Sequence, residues 1–141
     1  EVDLEEQCFG DWQGMTYAEV AADRAGEDHP FWVAPAYYAA PNGESFATVM
    51  ARVSTTVLRL SADHAGRDIV AVVHGGTIRA ALGQALGIKP DQALSFTVDN
   101  LSITRIDCFH GPEGAMNWCV VGVNLPPSIG APHGVVFPPR R

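Results

Sequence analysis

Phe46, Val49, Met50, Val53, Val57 and Leu60 recur every three or four positions, the spacing that lines one face of an α-helix. This predicts a helix launched from Asn42-Gly43-Glu44-Ser45, capped by Asn42 or Ser45, that fades near His64-Ala65-Gly66. The pattern then changes. Ile69-Val70-Ala71-Val72-Val73 is a continuous apolar run, β-branched except at Ala71, and reads as a strand buried on both faces, as in a parallel sheet. It stops at His74, and Gly75-Gly76 lets the backbone turn tightly. From Thr77 a second helical stripe runs through Ile78, Ala81, Leu82, Ala85 and Leu86, with Gly87 as its stop.

Weaker signals surround this centre. Val2 to Leu4 reads as the tail of a strand, followed by a turn-rich stretch over 9–14 and a capping box, Thr16-Tyr17-Ala18-Glu19, opening a short helix to about Arg24. Residues 26–43 mix Pro30, Pro35 and Pro41 with Phe31, Trp32, Tyr37 and Tyr38, which predicts an ordered loop or short helix over a pocket. Lys89-Pro90 marks a break. Leu101 to Ile106 alternates, Trp118 to Val123 is a second strand, and His110-Gly111-Pro112-Glu113-Gly114 turns between them, so 101–123 reads as a hairpin. The expectation is one α/β domain over 1–124 and an irregular Pro-rich tail over 125–141.

At 141 residues and 47% hydrophobic content there is room for one real core. A net charge of −7 argues against nucleic acid or an anionic membrane as partner, and no apolar run is long enough to cross a bilayer. A phosphate ligand would need a locally positive pocket. Cys8, Cys108 and Cys119 are odd in number and lack zinc spacing, so free thiols in a reducing, cytoplasmic compartment are expected. His29, His64, His110 and His133 have no ligand spacing, and neither a metal nor another cofactor is expected. No Walker loop, dinucleotide fingerprint or Gly-x-Ser-x-Gly elbow occurs.

The order strand, His-Gly-Gly, helix places His74 at a strand end beside the amide donors of a helix N-terminus, a setting that suits phosphate. A protonated imidazole there can hold a phosphoryl oxygen during transfer. Leu4-Glu5-Glu6 offers adjacent carboxylates, which on a strand point to opposite faces, so at most one shares a pocket with His74. Such a carboxyl group can serve as general acid for a leaving alkoxide. By themselves adjacent carboxylates are more often surface charges, and Gly43-Glu44-Ser45 is more often a plain helix start.

Together Leu4-Glu5-Glu6-Gln7-Cys8-Phe9-Gly10-Asp11-Trp12-Gln13-Gly14, Gly43-Glu44-Ser45 before a long helix, Val73-His74-Gly75-Gly76-Thr77-Ile78-Arg79 and Asn100-Leu101-Ser102-Ile103-Thr104 resemble the histidine phosphatase superfamily, also called phosphoglycerate mutase-like, over about residues 3–124. The resemblance implies a three-layer α/β/α fold and phosphoryl transfer through a phosphohistidine. Glu6 matches the family's acid, and His74 its second active-site histidine, which binds the phosphoryl group. The Gly75 amide would add a phosphate contact.

The nucleophilic histidine of the family's Arg-His-Gly strand has no counterpart in these 141 residues. The chain therefore looks like the later part of the domain, its sheet incomplete because the first strand is missing. The resemblance also implies a small phosphorylated substrate or inorganic phosphate as partner; a homo-oligomer is left open. Mutases of the family carry an Arg and a Tyr after the acid and a Trp-Arg-Arg segment further on. Here those places hold Gln7, Phe9 and Phe31-Trp32-Val33-Ala34, which favours a phosphatase over a mutase. A catalytically inactive fragment or binding module is the alternative from another class.

Overall fold

The computed structural model describes residues 1–23 and 35–127. The expectations for Phe31, Trp32 and the tail from residue 128 onward lie outside them.

Thr16 and Glu19 form the capping box that opens helix α1, Tyr17–Asp23. The Glu19 carboxylate accepts the Thr16 amide at 2.7 Å and Thr16 Oγ1 accepts the Glu19 amide at 3.3 Å. Trp12, Val20 and Ala40 are buried together beside Phe9. The dominant helix, α2, spans Phe46–Asp63 and starts at Ser45, whose hydroxyl accepts the Thr48 amide at 3.2 Å. Its buried positions are Phe46, Val49, Val53 and Thr56; the first three belong to the face read from the spacing, whose Met50, Val57 and Leu60 are half-buried.

Helix α3 spans Gly75–Leu86 and ends at Gly87, whose left-handed φ of 62° closes the last turn. Its buried face differs from the expected stripe. Thr77, Ala80, Leu82 and Gly83 are buried, whereas Leu86 is exposed. The reason is close packing on α2: a Cβ on Gly83 would sit 2.6 Å from Met50 Cε and 3.2 Å from Ala93 Cβ. Small residues, not large ones, set the contacting face where two helices approach this closely. Past Lys89 the chain makes one more short turn, α4, Pro90–Ala93, with proline at its first position. Phe46, Val49, Val53, Ala80 and Ala93 form the main core, with Leu4, Met50, Val57 and Leu94 packed against it.

Strands β1, Ile103–His110, and β2, Met116–Leu125, pair antiparallel, with Ile106 opposite Val120 and Cys108 opposite Trp118. The expected hairpin is present and longer than its alternation showed. Register shifts between Ile103 and Ile106 bend its start. Asn124, at φ 55°, ties the far end down by accepting the Asp99 amide at 2.7 Å and donating to its carboxylate at 2.8 Å.

Two strand expectations fail. Val2–Leu4 is a turn of 3-10 helix. Ile69–Val73 forms no ladder, and Val70 and Val72 are 89% and 98% exposed instead of buried on both faces. A strand needs neighbours to hold its backbone groups and cover its faces. Among the described residues the sheet consists of β1 and β2 alone. The three-layer arrangement implied by the resemblance is thus present in part: helices packed with one hairpin, and an unladdered apolar run leading into His74.

Candidate active site

Two arginines of α2 hold the N-terminal segment: Arg59 donates to the Glu1 carboxylate at 2.7 Å, and Arg52 collects backbone carbonyls. Arg52, on α2, donates through Nη1 to the carbonyls of Asp3 and Glu5 at 2.8 and 3.0 Å, and through Nη2 to that of Glu6 at 3.2 Å. The same guanidinium grips Glu44, Nη2 to Oε1 at 2.7 Å and Nε to Oε2 at 3.1 Å, a forked geometry that fixes both partners. This contact, joined by the Cys8 amide on Oε1 at 3.0 Å, holds the Glu44 carboxyl below its ordinary range against the opposing effect of burial. Thr77, buried in α3, adds its hydroxyl to the carbonyls of Leu4 and Glu5 at 3.1 Å each.

Glu6 is aimed by this scaffold. Its Oε1 accepts the Gln7 amide at 2.9 Å and its Oε2 the Gly76 amide at 3.2 Å. The approach requires glycine at 76, since a Cβ there would collide with the Glu6 carboxylate. Gln7 is anchored in turn by its side-chain amide on the Glu44 carbonyl at 2.8 Å.

His74 is exposed and sits at the N-cap of α3 in extended backbone, φ −87° and ψ 168°. Gly75 opens the helix, so its amide has no intrahelical acceptor. Glu6 and His74 line one open groove of about 840 Å³ that runs along Ile69–Val73 and past Glu5, Cys8 and His64. Glu6 also lines a smaller pocket of about 230 Å³ with Gln7, Phe9, Phe46, Gly76 and Arg79. Against the expectation that at most one of the two carboxylates shares a pocket with His74, Glu5 and Glu6 both line its groove, because this segment does not alternate as a strand would; Glu6 alone also lines the smaller pocket. Tyr37 and Tyr38 line neither, and Tyr37 donates to Asp91 at 3.1 Å.

The arrangement offers a carboxylate fixed by two backbone donors, a histidine in the same groove and a helix N-terminus facing it. That is equipment for holding a phosphoryl group and delivering a proton. Among the described residues no cluster of side chains could hold a metal ion, and no helix is long and apolar enough to cross a membrane.

Arg52, Thr77 and Arg79 are not singled out by their spacing, and Glu44 reads with Gly43 and Ser45 as a helix start. Glu44 stands just before the Ser45 cap of α2 and eight positions before Arg52, so no turn-to-turn spacing within the helix links the pair. The carbonyls that Arg52 collects lie more than forty positions away and leave no local trace.

Comparison with known proteins gives a consistent picture. A model of the histidine phosphatase superfamily (branch 1) matches residues 1–120. A glucosyl-3-phosphoglycerate phosphatase of Mycobacterium tuberculosis is 41% identical over 91 residues, which cover 59% of this chain and 40% of that protein. Among solved structures, a mycobacterial hydrolase superposes with a TM-score of 0.75 at 28% identity, over 93% of this chain and 61% of that one. A mycobacterial glucosyl-3-phosphoglycerate phosphatase in complex with inorganic phosphate superposes with a TM-score of 0.72 at 30% identity, over 89% of this chain and 64% of that one. The chain thus spans less than half the length of this curated relative and under two thirds of these solved ones.

Proposed function

Because this chain belongs to the histidine phosphatase superfamily, we propose that it is the acid-bearing and phosphoryl-binding part of a metal-independent phosphomonoesterase acting on a small phosphate ester. The nucleophile is a histidine from a strand outside these 141 residues. That histidine attacks phosphorus, a P–N bond forms, and the P–O bond to the leaving group breaks. Glu6 protonates the departing alkoxide. Water then attacks phosphorus as Glu6 takes its proton, a P–O bond forms, the P–N bond breaks to return the free imidazole, and inorganic phosphate leaves. His74 and the Gly75 amide hold the phosphoryl oxygens throughout and stabilise the charge that develops.

The observation that carries this reading is the placement of Glu6 and His74 on one groove, with Glu6 fixed by the Gly76 amide at the start of the helix that His74 caps. The unladdered, exposed Ile69–Val73 run along the same groove supports a strand supplied from elsewhere. The relatives' names support a phosphatase, and the scarcity of cations between Glu6 and Gly43, where Arg24 is the sole lysine or arginine, favours hydrolysis over mutase-type transfer. Free Cys8, Cys108 and Cys119 fit a reducing, cytoplasmic setting.

The test compares p-nitrophenyl phosphate hydrolysis by the 141-residue chain with that by the same chain extended at its N-terminus by an Arg-His-Gly strand. The extended protein turns over, its His74→Ala variant loses orders of magnitude, and the 141 residues alone stay at background. Robust turnover by the 141 residues alone, or full activity of the His74→Ala variant, overturns the reading.

A further inference from the structure

Thr77 is 2% exposed, and its hydroxyl leaves its own helix to bond the opposite side of the site. A threonine inside a helix ordinarily turns its hydroxyl back onto a carbonyl one turn earlier, as Thr55 does with Ala51 at 3.1 Å. Thr77 is the third residue of α3, so the turn that would take such a bond precedes the helix. Its Oγ1 instead lies 3.1 Å from the carbonyls of both Leu4 and Glu5, seventy-three and seventy-two positions away. A hydroxyl carries one proton, so the two carbonyls share it.

The donors to this backbone divide by helix. Arg52, from α2, takes the carbonyls of Asp3, Glu5 and Glu6 and leaves that of Leu4 to Thr77, from α3. Arg52 therefore fixes where the segment lies on α2, and Thr77 fixes where it lies against α3. The preceding residue, Gly76, gives its amide to Glu6 Oε2 at 3.2 Å. Consecutive residues of α3 thus grip the backbone leading to Glu6 and the Glu6 carboxylate itself, and both stand within three positions of the His74 cap. Farther along α3, Arg79 donates through Nε to the Phe96 carbonyl at 2.7 Å, which ties the helix to the chain beyond α4. A general acid must be placed relative to the group it protonates. With the phosphoryl group at His74 and Gly75, that reference is the first turn of α3.

We propose that Thr77 is a positioning residue for the general acid, its hydroxyl setting the separation between Glu6 and the phosphoryl-binding turn. This rests on the phosphatase reading. Thr77 touches neither the ester nor the reacting atoms and acts through Glu6. Without the hydroxyl, the Leu4 carbonyl loses this donor and the segment shifts off α3 to find another.

Single-turnover phosphoryl transfer in the N-terminally extended protein tests this. Thr77→Val keeps the branched shape and removes the hydroxyl, whereas Thr77→Ser keeps the hydroxyl. Thr77→Val slows transfer from an alkyl phosphate about tenfold or more. Transfer from p-nitrophenyl phosphate, whose phenolate departs without a proton, slows less than about threefold. Thr77→Ser stays close to the parent on both esters. In a Glu6→Gln background Thr77→Val adds no further loss on the alkyl ester, the non-additivity of residues that act through one group. Hydrogen exchange in the 141-residue chain reads the same contact without turnover. The Gly76 amide exchanges about tenfold or more faster in Thr77→Val than in Thr77→Ser, while the Leu82 and Gly83 amides, deeper in α3, keep their protection.

Equal losses on the two esters, a further loss in the Glu6→Gln background, or a Thr77→Ser variant as slow as Thr77→Val overturns the proposal. So does loss of protection at Leu82 and Gly83 along with Gly76, which makes the hydroxyl a support of the helix and no more. If Gly76 exchange follows the hydroxyl but neither ester is hydrolysed, the positioning contact stands and the phosphatase reading fails. If both esters are hydrolysed and Thr77→Val leaves their rates unchanged, the phosphatase reading stands and the positioning role fails.

Discussion

The backbone amide of Gly76 donates to Oε2 of Glu6 at 3.2 Å, joining residues seventy positions apart. The bond sets the acid against the first turn of the helix that His74 caps. It depends on the absence of a side chain at 76, where a Cβ would collide with the carboxylate.

Gly76→Ala is therefore expected to separate stability from activity. Alanine favours a helix over glycine by up to about 1 kcal/mol, so helix α3 should persist. The Glu6 carboxylate must swing away, and a displacement of that kind costs on the order of 10²-fold in turnover. Circular dichroism and phosphatase assays of the extended protein check the pair of outcomes.

Arg52 and Glu44 predict an acid-sensitive anchor. The Glu44 carboxyl is held below its ordinary range, chiefly by Arg52. Its contribution to stability is thus complete above the ordinary carboxylate range and is lost as pH falls through the lowered folded-state value. Urea midpoints measured downward from pH 6 should fall more steeply in the parent than in Glu44→Gln. Arg52→Leu should lower turnover as well as stability, because the carbonyls of Asp3, Glu5 and Glu6 lose their common donor.

Phe46 is 1% exposed and begins the buried face of α2. Phe46→Ala should cost about 3–5 kcal/mol, the range for truncating a buried aromatic ring. Denaturant melts read this directly.

Val72, at 98% exposure, should tolerate lysine in the 141-residue chain to within about 0.5 kcal/mol, as surface positions do. In the extended protein, where a strand beside Ile69–Val73 would cover it, Val72→Lys should cost several-fold more. Paired unfolding curves for the two lengths make the comparison.

What could be read along the chain was what is decided locally. The 3–4 spacing from Phe46 to Leu60 gave helix α2, because an amphipathic face is a property of the segment itself. Thr16 with Glu19 gave the entry to α1, and the alternation around Leu101–Ile106 with the His110–Gly114 turn gave the hairpin. Ile69–Val73 misled because β-branched residues report a taste for strands, while a ladder also needs partners. The buried face of α3 was misjudged because Gly83 against Met50 decides it, and that contact crosses thirty-three positions. His74 was singled out by the order apolar run, His-Gly-Gly, helix, and Glu6 by likeness of motif. Arg52 and Arg79 act on distant backbone carbonyls, and no spacing rule reaches those.

The assignment of Glu6 as the acid is tested most directly by the leaving group. Glu6→Gln in the extended protein should slow hydrolysis of an alkyl phosphate by about 10²- to 10⁴-fold, the usual worth of a positioned acid. With p-nitrophenyl phosphate, whose phenolate departs without a proton, the loss in phosphoryl transfer should be far smaller. Equal losses on both esters in single-turnover phosphoryl transfer, the step that precedes attack by water, or no loss on either, would contradict the account.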